Sequence, residues 1–143
     1  MLVLDDSRVA DADHPLDPAR GEFDHHCDSL AAGATVLMPE PERHINSSCD
    51  PNTYVVTRSD GRHVVALRAI DADSEITYDY MISLHGGVTW ACGCGATTCR
   101  GIQPSSFFDL PREVQLRYRP LLDRWFVEEH SSLVAALDGD SPG

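Results

Sequence analysis

The sequence predicts a mainly β fold with helices appended at its C-terminal end. Two segments rich in β-branched residues, "TYVVTR" (53–58) and "RHVVALR" (62–68), flank "SDG", in which Asp60 and Gly61 suit a hairpin turn. From Leu110 the pattern changes to helical spacing, with Val114, Leu116, Tyr118, Leu121, Leu122, Trp125, Phe126, Leu133, Val134 and Leu137 as its apolar positions. A length of 143 residues fits one domain with a modest core.

The remaining elements follow in order. Residues 5–33 are rich in Asp, Pro and His with little periodicity, which predicts loop or an insertion. "TVLM" (35–38) predicts a short strand, and "PEPERHINSSCDPN" (39–52), with three prolines, predicts turns. "SEITYDY" (74–80) reads as a further strand and "SLHGGVT" as loop. Pro111 suits a first helical turn. Pro120 should split the last segment into two helices, and "DGDSPG" should fray.

Composition narrows the function classes. The formal net charge of −12 argues against direct nucleic-acid binding, which needs Lys and Arg against the phosphates. It suits a basic partner such as a lysine-containing peptide, or simply a solvated acidic surface. All eleven basic residues are Arg, so no lysine of this chain serves as nucleophile or modification target. No apolar run reaches the length of a membrane span. The acidic N-terminus lacks the regions of a secretory signal. The expected location is intracellular: cytoplasmic, or nuclear in a eukaryote.

The chemistry is concentrated in "ACGCGATTCRG" (91–101), where Cys92, Cys94 and Cys99 fall within eight positions. In an intracellular chain such a cluster favours a metal over disulfides. Gly93 and Gly95 let the backbone fold around one ion. Zinc takes four ligands, and Cys49, Cys27 and the histidines are the candidates for the fourth. Free or oxidised thiols are the alternative. "EFDHHCD" (22–28) offers His25, His26 and Cys27 as a second metal group, or as solvated loop residues.

"RHINSSCDPN" (43–52), "SEITYDY" (74–80) and "CGCGATTCRG" (92–101) occur in this order, and together they resemble the C-terminal half of the SET-domain protein-lysine methyltransferases with their zinc-binding post-SET loop. The resemblance implies a fold of small curved sheets with a pseudoknot. It divides the chain into a partial SET-like domain (1–88), a post-SET zinc loop (89–102) and C-terminal helices with a tail (103–143). It nominates Cys49 as the fourth ligand beside Cys92, Cys94 and Cys99, in a closed structural zinc site. It implies S-adenosylmethionine as methyl donor and a lysine-containing protein as substrate.

By the same resemblance, Tyr80 stands at the catalytic tyrosine. Tyr78 stands where a Tyr favours monomethylation. Asn46 and Ser47 fall on the cofactor, with Arg43 and His44 just before them and Trp90 able to cover the cofactor or the substrate channel. Read by strand period alone, Tyr78 and Tyr80 share a face and could simply pack. Two departures stand out. Ser47 replaces the family's His, and no G-x-G precedes Asn46, where the only glycines are Gly21 and Gly33. Either the N-terminal part is truncated or half the cofactor site is lost. A working enzyme and a zinc-stabilised, catalytically inactive SET-like protein-binding module therefore both remain open. The C-terminal helices can cover a sheet edge or form the face of a homo-oligomer.

Overall fold

The computed structural model describes residues 2–4 and 8–139. Its spine is the expected hairpin. β6 (Thr53–Arg58) and β7 (Gly61–Ala66) pair antiparallel through six residues, Thr53 with Ala66 down to Arg58 with Gly61. The turn is the two-residue Ser59-Asp60, and Gly61 adopts φ 132, a backbone region open to glycine. β1 (Leu2–Leu4) adds to the other edge of β7, so β7 is the central strand of three. Covered on both faces, β7 buries consecutive residues, Arg62, His63 and Val64, rather than alternate ones.

A second antiparallel sheet has the order β2 (Arg8–Val9), β4 (Thr35–Leu37), β3 (Cys27–Ser29). Two of its strands arise within the segment read from sequence as loop or insertion. They are two and three residues long, too short to show periodicity. Arg62 ties the first sheet to the second and sits in a buried ion pair. Arg62 of β7 donates from Nε and Nη2 to the carboxylate of Glu42, at 2.6–3.0 Å, and Glu42 has no exposed surface. Nη2 of Arg62 also reaches Asp28 of β3 at 2.6 Å.

β5 (Asn46–Ser47) and β8 (Thr77–Tyr78) form a parallel pair, Asn46 opposite Thr77 and Ser47 opposite Tyr78. Only two residues of "SEITYDY" are therefore strand. β9 (Trp90–Ala91) and β10 (Ile102–Gln103) close an antiparallel ladder on either side of the cysteine loop.

The helices are α1 (Arg112–Tyr118), α2 (Arg124–Glu129) and α3 (Ser131–Gly139). Pro111 precedes α1 and Pro120 ends it, as expected, leaving a 3-10 turn over Arg119–Leu121. A further break at His130 makes three helices rather than two. Phe107, Leu110, Tyr118, Leu122, Phe126, Val134 and Leu137 form the main core with Met81. Leu116 and Leu133, which share the helical spacing, are 46% and 45% exposed. Helices of two turns present one narrow face inward, and both residues fall outside it. A smaller cluster, Ile45, Val64 and Tyr78, lies under the sheets. Residues 5–7 of the segment read as loop, and 140–143 of the tail, lie outside the described residues.

Candidate functional site

The cysteine loop leaves β9 and returns into β10, with the Cys92 N–H donating to the Gly101 carbonyl at 2.8 Å. Positive φ angles at Gly95 (78°) and Gly101 (73°) let the chain double back. Its three thiols meet Cys49, and the four sulfurs lie within 4.8 Å of one another. Cys49 Sγ and Cys92 Sγ are 3.8 Å apart. Sulfurs held at about 2.3 Å around one zinc stand about 3.8 Å from each other, so the cluster fits a tetrahedral ion.

Backbone and amide donors already point at the sulfurs. Cys49 N–H faces Cys94 Sγ at 3.5 Å, Arg100 N–H faces Cys49 Sγ at 3.5 Å, and Gln103 Nε2 faces Cys49 Sγ at 3.3 Å. The donors on Cys94, chiefly Cys49 N–H and then Ala96 N–H, lower its thiol to about 6. Burial pushes the Cys49 thiol up to about 12. Among the described residues this is the only group of three or more Cys, His, Asp or Glu close enough to share an ion. The "EFDHHCD" residues do not form a second one. His25 stacks on Phe23, His26 Nδ1 donates to the Gly21 carbonyl, and Cys27 belongs to β3.

The cluster is joined to the tyrosine strand by a buried junction. Asp79, between Tyr78 and Tyr80, has no exposed surface. Both its oxygens accept from Arg100 Nη2, at 2.9 and 2.8 Å, and its Oδ2 also accepts from Tyr118 of α1 at 2.8 Å. Gln103 completes the link, accepting from Arg100 and donating to Cys49. Asp79 thus fastens the tyrosine segment, the cysteine loop and the first helix at one point. Met81, also fully buried, plugs the same segment into the helical core.

Tyr78 and Tyr80 have ring centroids 4.9 Å apart. Tyr78 is buried, and its hydroxyl donates to Met38 Sδ at 3.4 Å. Tyr80 is 37% exposed, and its hydroxyl donates to the Ile45 carbonyl at 2.5 Å. Burial first, and then the nearby Asp28 carboxylate, pushes both phenols above their ordinary value. Both shifts favour the protonated phenol at physiological pH.

Two cavities meet at Tyr80. A polar one of about 660 Å³ is lined by Asn46, Ser47, Glu75 and the start of the cysteine loop. A largely apolar one of about 570 Å³ is lined by Met38, Tyr78, Leu84 and Trp125, with Asp24, Asp28 and Asp123 also on its wall. Tyr80 and Trp90 line both. Both volumes lie in the range of small-molecule sites, about 300–1,000 Å³.

Residues 7–81 match the family model described as "SET domain". The chain belongs to the SET-domain family. The match takes in the segment 8–33, ahead of the motif-bearing residues. Histone-lysine N-methyltransferase SETD1B of Xenopus laevis is 43% identical over 63 residues, 41% of this chain and 3% of that protein. Histone-lysine N-methyltransferase trithorax of Drosophila virilis is 38% identical over 77 residues, 51% of this chain and 2% of that protein. The H3 lysine-9 specific enzyme SUVH3 of Arabidopsis thaliana is 38% identical over 77 residues, 41% of this chain and 11% of that protein. The chain thus spans a small part of the relatives it matches.

Of the residues singled out in this SET-domain sequence, Asn46, Ser47, Trp90, Cys92 and Cys94 line the polar cavity together. Arg43 and His44 do not: both side chains turn to Glu40, at 2.7 and 3.5 Å. Asn46 Nδ2 donates to Glu75 at 2.7 Å, and Ser47 Oγ accepts from the Tyr80 backbone N–H at 3.2 Å.

Asn52, the last residue of "RHINSSCDPN", has a task that its motif does not announce. Its side-chain amide clasps the strand before Tyr78, donating to the Glu75 carbonyl at 2.8 Å and accepting from Thr77 N–H at 2.9 Å. The signal was an Asn in a turn-rich run three residues beyond Cys49, a residue type that commonly bonds backbone. Among the described residues no helix is long and apolar enough to cross a membrane.

Proposed function

We propose that this chain is an S-adenosylmethionine-dependent protein-lysine N-methyltransferase, with the four cysteines holding a structural zinc. The observation that carries the reading is the partition. Tyr80 and Trp90 separate a polar cavity beside the Asn46 segment from an apolar cavity on the far side. Methyl transfer to an amine is an in-line displacement, so donor and acceptor must approach one point from opposite sides. A single tyrosine shared by two cavities supplies such a point.

The polar cavity suits the cofactor. Asn46 and Ser47 provide amide and hydroxyl groups, Glu75 and Asp50 provide carboxylates for a cationic ligand, and Trp90 provides an apolar wall. Bound there, the cofactor would supply an electrophilic methyl group on a sulfonium. The apolar cavity would receive the lysine stem. Desolvation by its apolar walls disfavours the ammonium form, against the pull of the carboxylates there, and so promotes the neutral amine that attacks. Tyr80, whose proton is committed to the Ile45 carbonyl, keeps its oxygen lone pairs to orient the incoming amine. Tyr78 fills space beside it, which favours a single methyl group. Zinc would be a fastener: four protein ligands leave it no open position.

Calorimetric titration of the zinc-loaded chain with S-adenosylmethionine is the direct test, followed by transfer of labelled methyl to core histones, the substrate class in the relatives' names. Saturable binding and label on lysine support the reading. No heat and no thermal shift at millimolar cofactor would overturn it and leave the zinc-stabilised, inactive binding module.

A further inference from the structure

Asp123 performs one structural task and leaves half its carboxylate idle. It stands at the N-cap position of α2, where its side chain makes no capping bond, and is 5% exposed. Its Oδ2 accepts the Thr57 N–H at 2.9 Å, and its own N–H donates to Ser83 Oγ at 2.8 Å. Its Oδ1 is buried with no hydrogen-bond partner among the described residues. Leaving a buried charged acceptor unmatched is costly, and such groups ask for a ligand or another explanation.

Asp123 lines the apolar cavity, with Trp125 beside it. Of the other charges on that wall, Asp24 is exposed to solvent and the buried ones are matched. Arg62 is held by Glu42 and Asp28, and Asp79 is held by Arg100. A carboxylate without an arginine partner among the described residues, next to an indole, within apolar walls, has the composition of a receptor for an alkyl cation. The walls take the methylene stem. The indole face and the carboxylate take the head, and a planar guanidinium serves both best.

We infer that Asp123 and Trp125 form a subsite for an arginine side chain of the substrate, close in sequence to the lysine that enters beside Tyr80. The inference rests on the methyltransferase reading for its placement in a substrate, but not for the existence of the guanidinium site. Both residues lie in the helical segment beyond the family match, which ends at residue 81. The subsite would therefore be this chain's own source of selectivity.

Two measurements on the zinc-loaded chain test it. The first uses eleven-residue Ser/Gly peptides with a central lysine and one arginine moved through the flanking positions, each paired with its citrulline counterpart. At one position arginine should raise kcat/KM at least tenfold over citrulline. Asp123→Asn, which keeps a carbonyl for the Thr57 N–H, should bring that ratio within twofold. The second titrates agmatine, a guanidinium on a four-carbon stem, and follows the Trp125 indole resonance by NMR. It should move in the wild type and stay still in Asp123→Asn; if that variant does not fold, competition by guanidinium chloride at sub-denaturing concentration replaces it. No movement in the wild type, or an arginine preference that survives Asp123→Asn, overturns the subsite. Equal preference for lysine at the same position overturns the guanidinium assignment. If no peptide is methylated while agmatine still moves Trp125, the subsite stands and the methyltransferase reading falls.

Discussion

The two cavities flanking Tyr80 are built in opposite ways. The polar one draws its wall from short contiguous runs, 46–50, 75–80 and 90–96, each a motif visible in the chain. The apolar one draws on residues 24–29, Met38, Val55, Arg62, 78–90 and 123–125, of which only Tyr78–Tyr80 belong to a motif. The first is held by local geometry and a candidate metal. The second is held by long-range packing and buried ion pairs. The family match, residues 7–81, takes in parts of both walls and leaves out 90–96 of the first and 123–125 of the second, so any individuality of this member has room on both sides.

Metal removal should break the contiguous side with the largest effect. Structural zinc contributes about 10–16 kcal/mol of binding free energy in small domains. Stripping it with a chelator, or Cys94→Ser, should release the 92–101 loop and cost several kcal/mol. Metal analysis with chemical denaturation reads this, and unchanged stability after complete stripping would show that the four thiols need no ion. Glu42→Gln should break the dispersed side instead. It leaves Arg62 partly unmatched in the interior, for a cost of about 3 kcal/mol, at the low end for a broken buried pair because Asp28 remains. Denaturant midpoints measure it, and metal content should not change.

Tyr80→Phe acts on the shared wall. Transfer should fall at least about a hundredfold, as misplacement of a reacting group does, while stability falls by only about 1 kcal/mol for the lost bond to Ile45. An equal loss of both would make Tyr80 a packing residue. Tyr78→Phe should have the mildest effect. Among the described residues its hydroxyl has only the Met38 sulfur as partner. Mass spectrometry should find the product moving from one methyl group towards two, at a similar total rate.

The same contrast explains what could be read from the sequence. The cysteine loop was legible because three thiols and two glycines fall in eight positions, and Cys49 because its neighbours carry a recognisable motif. The β6–β7 hairpin was legible from β-branched runs around a turn. β2 and β3 were hidden by their length and by the Asp and Pro around them. Arg62–Glu42 and Thr57–Asp123 join residues 20 and 66 positions apart, and no periodicity announces such pairs. Leu116 and Leu133 followed helical spacing yet sit in water, because spacing marks a stripe without stating how wide the covered part is. Arg43 and His44 were nominated by adjacency to Asn46, but a tight turn sends them to Glu40.

The clasp made by Asn52 has a consequence for assembly. β5 and β8 share only two residues, too few for a ladder to fix its own alignment. A slip of one residue would turn every side chain of β8 to the opposite face, exchanging Tyr78 with its neighbours and misdirecting Asp79. The amide of Asn52 grips one carbonyl and one N–H of the incoming strand, two residues apart, and only one alignment offers both to it. A single side chain thus proofreads the placement of the tyrosines, a task that longer sheets leave to their length.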